Sequence, residues 1–238
     1  MKEFILILLI TSTNLFGMQS NIAKPPVLKR NLSKILTKKA FQNKRGNTYA
    51  RICNKLFAAI RKQSIEELEE LQKYEIDICE LNLALDFTVT RHSHSKAEVV
   101  EWLLKKGANP EQKDTLGHTL LINAFKRGFL KIVEVLLEYG ANPDAKNILG
   151  DTLMIDAFND KNLKLMNLLL RHGAKKDTLE LLVTAIKNND FDIVNLLLQH
   201  GVNINQKYKN GLTPLIIAEQ NNKAIMNLLL EYGTANQD

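Results

Sequence analysis

Apolar residues in the middle of the chain fall in short blocks at helical spacing. Leu120, Leu121, Ile122 and Ala124 form one block, and Ile132, Val133, Val135, Leu136 and Leu137 form the next, with the polar break Phe125-Lys126-Arg127-Gly128 between them. The pattern returns 33 residues on, in Leu153, Met154 and Ala157 and then Leu165, Met166, Leu168, Leu169 and Leu170. Each pair of blocks predicts two short antiparallel helices. Gly107, Gly140 and Gly173 each follow a leucine-rich run, each precede alanine, and stand 33 residues apart. A period of that size means stacked supersecondary units, none of which buries its apolar face alone. The chain therefore reads as a solenoid, not as a globule around one pocket.

The glycine after each second block suits a left-handed position just past a helix, and Asn142-Pro143 stops the helix from continuing. Asn142 to Gly150 must then be a turn. The segments Gly117-His118-Thr119-Leu120-Leu121-Ile122, Gly150-Asp151-Thr152-Leu153-Met154-Ile155 and Gly211-Leu212-Thr213-Pro214-Leu215-Ile216 open successive units. With the closing Gly-Ala-Asn they resemble the ankyrin repeat, whose turn reads Gly-x-Thr-Pro-Leu-His. Isoleucine stands at each family histidine position and only Pro214 keeps the proline. The resemblance implies an all-α helix-turn-helix solenoid with β-hairpin or turn fingers, and the missing histidine implies less rigid hairpins.

Reading outwards gives six repeats, at about 54–77, 78–110, 114–143, 147–176, 178–205 and 210–236. The first, with Leu56, Ile60, Leu68 and Leu71 beside the run Glu66-Glu67 and Glu69-Glu70, reads as an N-terminal cap, because an end repeat needs a polar outer face. Glycines close the outer helices as far as Gly233. Two repeats break the period. The second carries Arg91-His92-Ser93-His94-Ser95 between its helices, and the fifth spans 28 residues from Gly173 to Gly201 because Asp177-Thr178-Leu179-Glu180 replaces the usual turn. That shortening predicts a stunted finger and a notch between the fingers at Lys146–Gly150 and Gln206–Gly211.

The chain of 238 residues carries a net charge of +6, unevenly placed. Residues 4–65 hold twelve Lys or Arg and no acid, whereas 66–238 hold nineteen basic and twenty-five acidic residues. The solenoid is thus acidic and the front of the chain basic. Residues 1–20, with the apolar run Phe4–Ile10, match a secretory signal peptide and are too short to cross a bilayer, which takes about 20 apolar residues. An exported protein is expected, periplasmic or secreted, or a cytoplasmic one if the segment is not a signal. The leader 21–53, with Leu28, Leu32, Ile35 and Leu36 between Lys29, Arg30, Lys34 and Lys38, is either a solvated arm, an added helix, or a basic amphipathic helix touching an anionic membrane or nucleic acid through residues 24–51.

No catalytic constellation, phosphate loop or metal-ligand set emerges, so the chain reads as a non-catalytic protein without cofactor or metal, and as a monomer. Cys53, before the cap's first helix, and Cys79, in the turn after its second, are the only cysteines and can pair if the chain is exported. Trp102 shares a register with Val135, Leu168, Leu196 and Leu228 and reads as core. The resemblance implies that another protein binds the concave face and the finger tips. Carried over by register, the exposed inner-helix positions are Asn123, Lys126, Arg127, Asp156, Asn159, Thr184, Lys187, Asn188 and Gln220; the tips supply Gln112, Leu116, Lys146, Ile148, Leu149, Lys207 and Tyr208. Leu116, Ile148, Leu149 and Tyr208 are the apolar anchors, unless Leu116 and Leu149 only pack on adjacent fingers. The partner is unidentified; a Lys-, Asn- and Ile-rich chain suits the AT-rich genome of a bacterium living in a host cell, and the partner would then be a host protein.

Overall fold

The computed structural model describes residues 44–114, 117–209 and 211–235, so the expected signal peptide, most of the basic leader, and Leu116 lie outside the described residues. The chain divides into two compact units, one made of residues up to Ala84 with Lys106–Ala108, the other of Leu85–Lys105 with Asn109 onwards.

In the first unit, α1 (Lys44–Lys62) packs on the short α2 (Ile65–Glu69), which continues as a 3-10 turn over Glu70–Lys73. Leu56, Phe57 and Ile60 of α1 meet the requirement for an apolar stripe, and with Leu68 and Leu71 they are buried. Ser64 caps α2 by accepting the Glu67 N–H at 3.3 Å. Glu66, Glu69 and Glu70 face solvent, as an end repeat requires. Helix α1 starts at Lys44, so the boundary expected at residue 53 falls inside it. Cys53 is therefore a buried helix residue, and Cys79 sits in the first turn of α3 (Ile78–Arg91) instead of a connecting turn; both thiols are free.

The second unit continues with α4 (Ala97–Lys105), α5 (Leu120–Lys126), α6 (Leu130–Glu138), α7 (Leu153–Asn159), α8 (Leu163–Arg171), α9 (Thr178–Lys187), α10 (Phe191–Gln199), α11 (Pro214–Asn221) and α12 (Lys223–Ala235). The outer helices α4, α6, α8, α10 and α12 pack each on the next, and α5, α7, α9 and α11 pack each on the outer helix of its own repeat. Short helices of seven to ten residues are marginal alone. In the stack they bury leucine-type side chains, Leu121, Leu136, Leu153, Leu169, Leu182 and Leu197 among them, at about 1.5–3 kcal/mol apiece. That inter-repeat burial is what holds the stack.

Gly140 closes α6 with φ +87°, and its N–H donates to Leu137 O at 3.0 Å, as a left-handed helix end requires. Gly233 departs from the expected pattern. It lies inside α12 (Lys223–Ala235) and is not among the glycines with a positive φ. Trp102 keeps its register with Val135, Leu168, Leu196 and Leu228, but all five are half-buried on the flank of the outer helices and the inner core is filled by their neighbours. The loop after α3 is longer than its counterparts, as the inserted residues require. Arg127 braces it, donating from Nη1 to Thr90 O at 2.8 Å and from Nη2 to His92 O at 2.7 Å.

Candidate functional site

Three fingers share one hydrogen-bonded turn. The N–H of Asp114, Asn147 and Tyr208 donates to the carbonyl of His118, Asp151 and Leu212 at 2.9 Å in each case, and Gly117, Gly150 and Gly211 donate back to Asp114, Asn147 and Tyr208. Isolated antiparallel bridges Lys113–Thr119 and Lys146–Thr152 mark the hairpin character of the first two. Local chemistry sets these turns. Asp114 Oδ1 accepts the His118 N–H at 3.0 Å, while Asn147 Oδ1 accepts from Leu149 at 2.8 Å and Asp151 at 3.0 Å. The first two fingers thus have side-chain anchors of their own where the family histidine is missing.

At the second finger the anchored turn presents Ile148 and Leu149, which remain 67% and 80% exposed. Leu149 therefore does not pack against an adjacent finger. Lys146 beside them is exposed. Of the other expected contacts, Lys126, Arg127, Asn159, Lys187, Asn188, Lys207 and Gln220 are exposed, whereas Gln112, Asn123, Asp156, Thr184 and Tyr208 are half-buried. The half-buried ones have local work. Asn123 Nδ2 donates to Asp114 Oδ2 at 3.0 Å, Thr184 Oγ1 to Glu180 O at 2.8 Å, and Gln112 Nε2 to Asn109 O at 3.2 Å. Burial, reinforced by Asp151, raises the Asp156 carboxyl above the usual carboxylate range. Two exposed residues are engaged as well: Arg127 in the loop brace, and Lys126 through Nζ, 3.1 Å from Nε2 of the buried His118.

The fifth repeat makes no finger. From Ala174 the chain passes through Lys175–Asp177 directly into α9, whose first turn contains Thr178, Leu179 and Glu180. Those residues were expected to form a turn, but the sequence there has no glycine or proline to interrupt a helix. Asp177 supplies the change of direction with φ +64° and gives α9 no side-chain cap; its Oδ2 instead lies 3.4 Å from Thr152 Oγ1. Asp144 accepts the N–H groups of Lys175 and Lys176 at 3.1–3.3 Å and fixes the shortened turn to the preceding repeat.

The shortening leaves a cavity of about 360 Å³ lined by Lys175, Asp177–Glu180 and Gln206–Lys209. The expected notch is thus present on the Gln206–Gly211 side, but its other wall is the shortened turn itself, and the finger at Lys146–Gly150 does not line it. Tyr208 occupies the place of Asp114 and Asn147 in its turn. Lacking their short acceptor, it sends its hydroxyl across to Glu180, donating to Oε1 at 3.1 Å, and Lys209 Nζ reaches the same oxygen at 2.8 Å. Those bonds, from Lys209 first and Tyr208 second, hold the Glu180 carboxyl below its usual range and hence ionised. The ammonium groups of Lys209 and Lys187 stand 5.4 and 5.9 Å from the Tyr208 ring. Sequence reasoning missed Lys175, Glu180 and Lys209; the 28-residue step was the one signal pointing towards them.

Among the described residues no group of three or more His, Cys, Asp or Glu is placed to hold a metal, and no helix is long and apolar enough to cross a membrane. No curated protein matches the chain. A crystal structure of an ankyrin repeat domain from Acinetobacter baumannii is similar, at 25% identity over 75% of this chain and 97% of that one, with a TM-score of 0.49. The family described as "Ankyrin repeats (3 copies)" matches residues 87–180 and again 153–238. Because those overlapping matches take in more than half of the sequence, the chain belongs to the ankyrin repeat family.

Proposed function

We propose that this protein is a non-catalytic scaffold that binds another protein through its concave face and finger tips, with the finger at Lys146–Gly150 as principal anchor. Ankyrin repeats generally mediate protein–protein interaction and are typically non-enzymatic. The observation that carries the assignment to this finger is the exposure of Ile148 and Leu149, 67% and 80%, at the tip of a turn whose backbone is anchored by Asn147. Large apolar groups left in water on a preorganised support are favourable interface anchors, since little conformational freedom is lost when they are covered. Export of the protein rests on the apolar run Phe4–Ile10.

The test is affinity capture with the full chain beside Ile148→Ser/Leu149→Ser, quantified by mass spectrometry. Both side chains are exposed, so the fold is retained and circular dichroism of the variant matches the parent. A partner captured by the parent and depleted at least tenfold by the variant supports the reading. Equal recovery of the same partner by both chains overturns the finger-tip assignment.

A further inference from the structure

We propose that the cavity beside the shortened fifth repeat is a docking site for an extended acidic segment of the partner protein. This deepens the protein-binding reading and rests on it. The site lies where the fifth repeat is shortened, between Lys175–Glu180 and Gln206–Lys209.

Charge identifies the occupant. Residues 66–238 carry a net charge of −6, with nineteen basic and twenty-five acidic residues. Around this cavity the balance inverts: Lys175, Lys207 and Lys209 line it against Asp177 and Glu180, Lys187 stands beside the Tyr208 ring, and Asp144 next to it is engaged by the Lys175 and Lys176 N–H groups. Of these, Lys209 is satisfied by Glu180, and Asp177 is turned towards Thr152. The ammonium groups of Lys175, Lys176 and Lys207 have no carboxylate partner among the described residues. A carboxylate entering the cavity therefore meets unpaired cations, beside the uncapped first turn of α9, whose dipole has the same sign. The volume of about 360 Å³ lies at the small end of ligand pockets and suits one or two side chains of a passing strand, not a folded domain.

The same features argue against a polyanion. The acidic repeats repel a long uniformly charged strand over distances up to a Debye length, about 8–10 Å at ordinary salt, whereas a short acidic segment places its charge only where the lysines are. The Tyr208 ring is also unsuited to base stacking, because Lys187 and Lys209 already lie against it and its hydroxyl is fixed on Glu180. Glu180 thus acts as an internal brace. It holds Tyr208 and Lys209 against α9 and leaves Lys175 and Lys207 to the ligand.

The experiment titrates the full chain with a hexaglutamate peptide, with a hexaserine peptide and with single-stranded DNA of six nucleotides, reading backbone amide shifts and fluorescence anisotropy. Saturable hexaglutamate binding is expected, with shifts centred on residues 175–180 and 206–209, an affinity at least tenfold above the other two probes, and a further loss of at least tenfold in Lys175→Glu/Lys207→Glu. Lys164→Glu, an exposed change on the outer helix α8, is expected to alter the affinity less than twofold. Shifts spread over other lysines, equal binding of DNA, undiminished binding by the double variant, or no saturable binding each overturn the proposal. The shift map uses the unmodified chain and so remains decisive if the double variant fails to fold. The peptide titration reads residues 175–180 and 206–209 and the capture experiment reads Ile148 and Leu149, so the two readings fail separately.

Discussion

Tyr208 donates a hydrogen bond to Glu180 across 28 residues of sequence, joining the sixth repeat's finger to the first turn of α9 at 3.1 Å. It ties that finger to the fifth repeat, whose chain enters α9 without a finger of its own. Because Glu180 is held ionised by Lys209 and Tyr208, with its carboxyl below the usual range, the sign follows directly. The contribution is present above the ordinary carboxylate range and is lost as pH falls through the depressed folded value. Tyr208→Phe is expected to raise the Glu180 titration midpoint in side-chain NMR and to speed amide exchange at 206–211. An unmoved midpoint would mean that the phenol bond is not formed in solution.

Gly140→Ala should cost about 1–2 kcal/mol in urea unfolding. A Cβ there meets nothing within 4 Å, so the cost is the left-handed backbone alone, at φ +87°. Gly233→Ala provides the contrast. That glycine is helical and gains about 1 kcal/mol of propensity, set against a Cβ contact of 3.2 Å with Ile204 Cδ1, so a change within about 1 kcal/mol is expected. Equal large losses at both sites would contradict the helix end assigned to α12.

Arg127→Lys should loosen the loop after α3. Lysine cannot donate to the Thr90 and His92 carbonyls with one planar fork, and the cation stacked 5.2 Å from Phe129 is lost with the guanidinium. The expected loss is about 1 kcal/mol, with faster amide exchange confined to residues 91–96. Exchange unchanged in that loop would show that Arg127 does not brace it.

Glu80 is buried at 7% exposure and its Oε2 has no hydrogen-bond partner among the described residues. The Asp77 N–H, which a glutamate at this helix position commonly accepts, donates instead to Tyr49 Oη at 3.0 Å. Burial first, and Asp77 second, push the Glu80 carboxyl above its usual range. A raised folded value contributes stability that is present at low pH and lost as pH rises through it. Glu80→Gln should therefore stabilise the first unit by about 1 kcal/mol at pH 7, with the gain vanishing near pH 3. A gain of the same size at both pH values would assign it to packing.

Cys53 is 3% exposed and burial pushes its thiol up to about 11. It should resist maleimide in the native chain at pH 7.5 and react in urea. Rapid native labelling would place α1 differently.

The period and the helix pairs were legible because burial demands the same apolar spacing in every repeat, and Gly140 because a tight helix end needs a left-handed residue. Gly233 shares its register yet lies inside α12, since register alone does not separate a glycine within a helix from one that ends it. Trp102 keeps the expected register but is half-buried, since hydrophobicity alone does not separate the flank of an outer helix from its buried face. The shortened period suggests a turn at Asp177–Glu180, whereas Leu179 and Glu180 favour helix and packing against α11 selects it. The Glu180–Tyr208 bond and the Arg127 brace left no local signature. Their partners lie 28 and 35 or more residues away, and for Arg127 they are backbone carbonyls that any residue would supply.

Hydrogen exchange on the complex with the captured partner tests the binding surface most directly. The account predicts slowed exchange at 146–151 and at 206–209, with the outer helices α6, α8 and α10 unchanged. Protection confined to those outer helices, with both fingers exchanging as in the free chain, would contradict it.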